Sequence, residues 1–250
     1  VSRKVRALTF DVGNTLLPFR AQEMDKLLRG FLGFVRDRVG PFDEDAVIAR
    51  YHEVRLAQYR VNRALLREND LVERVRLTVE AAMGRQVTAE LLADAMEAYV
   101  GALVAALPVP DGLPRLLDRL GSGYRLGVIT NYPYAPGSRR VLEAKGLSGF
   151  FSSVVISADW GFIKPHPLLF RRAAAELGVA PEEMVHVGDD WEADVIGATR
   201  AGAGSVLFTG YREEPDPFRG DPAGRPLAIV ERLEDLEEVL EVAALARAPV

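Results

Sequence analysis

The sequence contains no cysteine. Disulfides, thiolate metal sites and cysteine nucleophiles are thereby excluded, and any metal must be held by oxygen donors or by the three histidines of the chain. Long apolar runs are missing as well: no stretch approaches the roughly 18 apolar residues of a membrane-spanning helix, so no membrane partner is expected. A surplus of positive charge is also absent. With a net charge of −5, a pI near 5.4 and no basic run interleaved with aromatics, nucleic acid is not an expected partner. Asparagine and glutamine are sparse and arginine greatly exceeds lysine, a bias that a thermophilic source and GC-rich coding both produce. The opening VSRKVRALTF runs straight into a strand-like segment, without the longer apolar stretch and small-residue cleavage site of a secretory signal, so a cytoplasmic location is expected.

What is present is an ordinary globular composition, 48% hydrophobic over 250 residues, enough for one large α/β domain or a core with an insert. Five short apolar segments stand out, at 5–10, 124–131, 152–157, 184–189 and 203–208. Each is apolar nearly throughout and bounded by glycine or polar residues, as suits strands buried on both faces of a parallel sheet. Helical patterns at 112–122, 137–147, 167–178 and 191–202 alternate with the last four. This alternation predicts an α/β fold with a doubly wound parallel sheet, a Rossmann-like core.

Residues 18–108 break the alternation with several amphipathic helix patterns and no strand. They read as a helical insert, which proline-rich LPVPDGLP (107–114) closes. The expected organisation is a core of residues 1–17 and 109–250 with an inserted unit at 18–108. The segment at 211–226 reads as a long surface loop, and 227–245 as a final edge strand and amphipathic helix.

Ligands of open parallel sheets bind beyond the carboxyl ends of the strands, near the reversal of strand order. Asp11 ends the first strand, Thr130 and Asn131 the second, and Asp189 and Asp190 the fourth, while Lys164 follows the third after a loop. Singly, each has a structural explanation: Asp11 as a cap or turn, Lys164 as a solvated loop cation, and Asp189, Asp190 and Asp194 as acids favoured at a helix N-terminus. Jointly they form a complementary set at matching strand ends. Asp189 and Asp194 span a strand-to-helix turn, so at least one acid can face Asp11 while the other supports it. Mg²⁺ accepts such oxygen ligands. A carboxylate nucleophile can form an acyl phosphate while a lysine and a metal offset the charge in transfer. Phosphoryl transfer is the natural reading.

The stretches FDVGNTL (10–16), VITN (128–131), KPHPLLF (164–170) and VGDDWEADVIGA (187–198) together resemble the haloacid dehalogenase-like superfamily, in its form with a helical cap after the first strand. The resemblance implies that Asp11 is the nucleophile and a Mg²⁺ ligand, with Thr15 bracing its loop. It further implies that Thr130 and the Asn131 backbone hold the phosphoryl oxygens, and that Lys164 neutralises the nucleophile and the transferred group. Asp189 would bind Mg²⁺ and Asp194 would order a metal water or Lys164, with Asp190 next in either role. Residues 18–108 take the cap position.

One position departs from the family pattern. Its phosphatases usually carry a second aspartate two residues after the nucleophile as general acid and base, and here that residue is Gly13. Glycine keeps the backbone carbonyl offered to the metal but lacks the proton-transfer group, which contributes about 10²–10⁴-fold. His52 and His166 are the candidate substitutes.

The expected activity is Mg²⁺-dependent hydrolysis of a small phosphorylated metabolite through an aspartyl-phosphate. Superfamily dehalogenases also lack the second aspartate, which makes metal-independent 2-haloacid dehalogenation the alternative, with Arg55, Arg60 or Arg63 to hold a carboxylate. The acidic GDDWEAD motif favours the metal-dependent reading. A Schiff-base phosphonate hydrolase would need a cap lysine, for which only Lys26 is available. A non-catalytic phosphate or metabolite binder is the remaining class. Neither the substrate nor the oligomeric state is written in the motifs.

Overall fold

A computed structural model describes residues 4–213 and 220–246. Six parallel strands form one sheet in the order β3-β2-β1-β4-β5-β6. They are β1 (Ala7–Phe10), β2 (Arg125–Thr130), β3 (Ser153–Ile156), β4 (Met184–Gly188), β5 (Gly204–Phe208) and β6 (Ala228–Val230). The central strands are buried along their length, which explains why their sequences are apolar without alternation. Phe10 pairs in register with Val128 on one side and Val187 on the other. Strand order reverses around β1, so the residues after β1, β2 and β4 meet at one edge.

Four helices lie between β1 and β2: α1 (Ala21–Val39), α2 (Glu44–Asn62), α3 (Leu71–Met83) and α4 (Ala89–Ala106). Asp43, Asp70 and Thr88 start the last three by accepting the amide of the residue three positions on, at 2.9–3.2 Å. Pro108 and Pro110 follow the end of α4, where neither could continue a helix. The apolar faces of α1 and α4 meet, with Phe31 edge-on to Tyr99 at 5.4 Å between ring centroids. One buried cluster runs from Leu8 and Phe10 through Leu17 to Phe31 and Val75, so the helical unit shares a core with the sheet.

Beyond the insert, α5 (Leu113–Gly123), α6 (Ala135–Ala144), α7 (Pro167–Glu176), α8 (Gly197–Ala201) and α9 (Leu236–Ala246) complete the chain. Two elements depart from the sequence pattern. Helix α2 stops at Asn62 although Leu65 and Leu66 continue its apolar pattern, and after a tight turn Leu66 takes a left-handed φ of 50°. This releases the backbone to pair with the sheet side, Ile163 N donating to Leu66 O at 2.9 Å and Glu68 N to Gly161 O at 3.0 Å. The pattern at 191–202 begins as a wide π-type turn over Trp191–Ile196 before α8. Of the loop expected at 211–226, residues 214–219 lie outside the described residues. Among the described residues, no helix is long and apolar enough to cross a membrane.

Phe31 is fully buried where the helical unit meets the core. Phe31→Ala is expected to lower the unfolding free energy by about 3–5 kcal/mol. Urea denaturation of the two proteins measures the difference.

Candidate active site

The nucleophile candidate sits where β1 ends. Asp11 N donates to Val187 O at 2.9 Å, which carries the strand pairing one residue past Phe10. The chain then folds back on itself, with Leu17 N donating to Val12 O at 2.9 Å. Asn14 adopts a φ of 54°, a conformation asparagine tolerates better than most residues, and its side chain accepts Phe19 N at 2.8 Å. Gly13 lies on this turn and lines the cavity in front of Asp11. Thr15 is fully buried with no hydrogen-bond partner for its hydroxyl among the described residues, so it supports the turn by packing.

Lys164 reaches the same point from the segment after β3. Its ammonium group contacts Asp11 Oδ1 at 2.9 Å and Asp194 Oδ1 at 2.6 Å, and it donates to Ile129 O at 2.9 Å. Asn131 fixes this lysine through its backbone, accepting Lys164 N at 2.7 Å and donating to Lys164 O at 3.2 Å. Burial disfavours the Lys164 charge, but the adjacent charges of Asp11 and Asp194 outweigh it and hold the pKa above its ordinary value.

The acids after β4 separate into three environments. Asp190 caps the wide turn, accepting Ala193 N at 2.8 Å, the structural role open to it from sequence. Asp194 is turned back under β4, where Oδ2 accepts Asp190 N at 2.9 Å and Oδ1 is 3.0 Å from His186 Nε2. A Cβ on Gly188 would overlap this carboxylate, which is why glycine ends the strand. Burial alone would raise the Asp194 pKa, yet Lys164 and His186 hold it well below the carboxylate range. Asp189 has the opposite fate. Burial, then the charges of Asp194 and Asp11, push it up to about 8, with Arg212 opposing. Arg212 donates to Asp189 O at 2.7 Å and Oδ2 at 3.2 Å.

Asp11, Asp189 and Asp194 offer oxygens within 4.8 Å of one another. They open on a cavity of about 380 Å³ that Thr130, Asn131 and Lys164 also line. Three hard oxygen donors in this space, one carrying a raised pKa for want of positive charge, fit a divalent cation. Asp194 already spends both oxygens on Lys164, His186 and a backbone amide, so Asp11 and Asp189 have the freer ones. The Gly13 carbonyl makes no hydrogen bond among the described residues.

The family profile of haloacid dehalogenase-like hydrolases matches residues 5–202. The chain belongs to that family. It is 31% identical to the glyceraldehyde 3-phosphate phosphatase of Methanopyrus kandleri over 243 residues, 94% of this chain and 97% of the relative. A phosphoserine phosphatase of Thermus thermophilus is 38% identical over 137 residues, 54% of this chain and 51% of the relative. In fold it is similar to a 2-haloacid dehalogenase from Pseudomonas syringae, with a TM-score of 0.72 and 22% identity over 95% of this chain and 99% of that one. An HAD phosphatase from Thermococcus onnurineus gives a TM-score of 0.65 and 24% identity over 94% and 98%.

Every strand-end residue picked out from this hydrolase's sequence lines one cavity, but the two histidines proposed as proton donors do not. His166 caps α7 through Leu168 N at 3.2 Å and stacks on Phe162, and His52 lies on α2 outside the lining. Sequence reasoning passed over His186. Burial lowers its pKa and keeps it neutral, so its single ring proton serves Asp194 from Nε2 while the Thr9 hydroxyl, 3.0 Å away, donates to Nδ1. A histidine inside the apolar run MVHVG was the available signal. Arg212 gave none, lying in a loop rich in charge.

The Asp189 environment has a measurable consequence. Its folded pKa of about 8 exceeds the unfolded value near 3.8, so ionisation costs stability as pH rises through that window. In chelator, the melting temperature of the wild type is expected to fall relative to Asp189→Asn between about pH 5 and pH 8, and a divalent cation should restore it. Parallel profiles for the two proteins would contradict this electrostatic picture.

Proposed function

We propose that the chain is a Mg²⁺-dependent phosphatase that hydrolyses a small phosphorylated metabolite through an aspartyl-phosphate at Asp11. The observation that carries the reading is the pairing of Asp11 with the buried Lys164 at 2.9 Å, beside two further carboxylates on a cavity floor. The phosphatase names of relatives such as that of M. kandleri support the reaction class. The acid cluster favours it over metal-independent dehalogenation.

Lys164 holds Asp11 Oδ1, and Oδ2 is left without a protein hydrogen bond among the described residues. Oδ2 attacks phosphorus, the P–O bond to the leaving alcohol breaks, and a water then attacks the phosphorus of the acyl phosphate to release inorganic phosphate and the free carboxylate. Lys164 and the hydroxyl of Thr130 offset charge on the phosphoryl oxygens. Asp11, Asp189 and the Gly13 carbonyl would hold Mg²⁺, which would supply further electrostatic stabilisation of the transferring group, while Asp194 acts by orienting Lys164. Residues 18–108 serve as the cap: Arg55, Leu103 and Leu107 reach the catalytic cavity from the insert. Gly13 has no carboxyl to protonate the leaving oxygen, so the proton comes from water.

Asp11→Asn and chelation are each expected to reduce phosphate release from a panel of phosphate esters by at least about 10³-fold. 2-Chloropropionate is assayed alongside for chloride release. Chloride release that survives chelation, with no phosphate release from any ester, would establish the dehalogenase instead.

Gly13 also makes a graded prediction. A Cβ there meets only Phe19 at 3.9–4.0 Å, ordinary contact, so aspartate fits the turn. Gly13→Asp is expected to raise turnover of alkyl phosphates by about 10-fold or more and of aryl or acyl phosphates far less, because only a poor leaving group needs the proton. Equal changes for both classes in a folded, metal-binding variant would refute the account.

A further inference from the structure

A second cavity, of about 420 Å³, lies between the insert and the core. It shares Phe19, Arg55, Asn131 and Tyr132 with the catalytic cavity, so the two adjoin. Its wall contains a buried guanidinium. Arg74, on α3, is only 5% exposed and forms no ion pair among the described residues. Its Nε and Nη2 donate to the neutral Gln58 Oε1 at 3.2 and 2.8 Å, its Nη1 reaches Tyr51 Oη at 3.5 Å, and the Tyr51 ring lies 5.5 Å from the guanidinium carbon.

Burial of a charge without a counter-charge is costly, and a site that keeps one is suited to a ligand that supplies it. The nearest acid in this wall, Glu68, is committed elsewhere. It accepts the Ser157 hydroxyl and the Asn69 amide; the Arg74 charge acts on it without an ion pair and favours its ionised form, but burial outweighs this and raises its pKa. Arg55, exposed at the junction of the two cavities, has no ion pair among the described residues either. Two cations face one carboxylate, a surplus of one positive charge. A second polar group lies beside them: among the described residues the buried Tyr132 hydroxyl meets no partner in hydrogen-bonding geometry, with the Tyr99 hydroxyl its nearby polar neighbour. The hydroxyls of Tyr51 and Tyr99, 2.6 Å apart, brace this wall.

We propose that this second cavity binds the leaving group of the substrate, and that Arg74, with the Tyr132 hydroxyl, selects phosphate monoesters whose alcohol carries a second anionic group. The inference rests on the phosphatase reading for its reaction but not for its binding site. A carboxylate or a second phosphate satisfies the same donors.

The test compares kcat/KM for propyl phosphate with 3-phosphonooxypropionate and with propane-1,3-diol bisphosphate, and with their two- and four-carbon homologues. Wild type is expected to prefer an anion-bearing member by about 10–100-fold, the worth of hydrogen bonds to a charged group. Whichever arm shows the preference identifies carboxylate or phosphate. Arg74→Met should collapse the ratio towards one, and Tyr132→Phe should reduce it by about threefold or more. No preference in wild type at any chain length, or an unchanged ratio in folded Arg74→Met, overturns the proposal.

Calorimetric titration of wild type with 3-phosphonopropionate and propylphosphonate requires neither turnover nor a variant. Tighter binding of the carboxylate-bearing phosphonate supports the subsite even if no ester is hydrolysed, an outcome that would sink the phosphatase reading alone. Equal affinities for the two phosphonates, with no preference for the bisphosphate, count against the subsite alone.

Discussion

The site depends on one buried cation shared between two carboxylates. Lys164 joins Asp11, at the end of β1, to Asp194, on the turn after β4, while its own backbone is clamped by Asn131 at the end of β2. Three neighbouring strands are thereby tied together at one edge. Desolvating an ammonium group and two carboxylates costs several kcal/mol each, and the arrangement is tolerable only because every charge has a close partner. Removal of Lys164 would leave two buried carboxylates facing each other without a cation. The same constraint that holds the edge together therefore fixes the rotamer of Asp11.

Partner choice also explains how three neighbouring acids acquire different chemistry. Asp194 is fully engaged by a lysine, a neutral histidine and an amide, and it stays ionised. Asp190 caps a turn. Asp189 meets the field of the other two with only Arg212 to offset it, and its pKa climbs. The wide turn at Trp191–Ile196 produces this division by directing Asp194 back beneath Gly188, where a side chain on residue 188 would exclude it.

The helical unit is held to the sheet by more than its two chain connections. Leu66 and Glu68 pair through their backbones with Ile163 and Gly161, immediately before Lys164. Glu68 also accepts the hydroxyl of Ser157, which in turn accepts Tyr132 N. The segment that carries Lys164 is thus the segment on which the insert rests.

The sheet and the strand-end residues were legible because their causes are local. Buried parallel strands write continuous apolar runs, and a site built where those strands stop writes polar residues at their ends, as Asp11, Thr130 and Asp189 do. The end of α2 was not legible, since Leu65 and Leu66 extend the apolar pattern while tertiary backbone pairing stops the helix. His186, Arg212 and Arg74 were missed for a related reason. Each acquires its role from a partner remote in the chain, eight residues away for His186 and Asp194, 23 for Arg212 and Asp189, and 16 for Arg74 and Gln58. Sequence by itself determined the strand order's raw material, the acids and the lysine, and the glycine at position 13. Only the tertiary structure decided which acid is neutralised, which is left short of positive charge, and which arginine is buried without an ion pair among the described residues, because pKa and charge balance are set by distance and desolvation rather than by residue type.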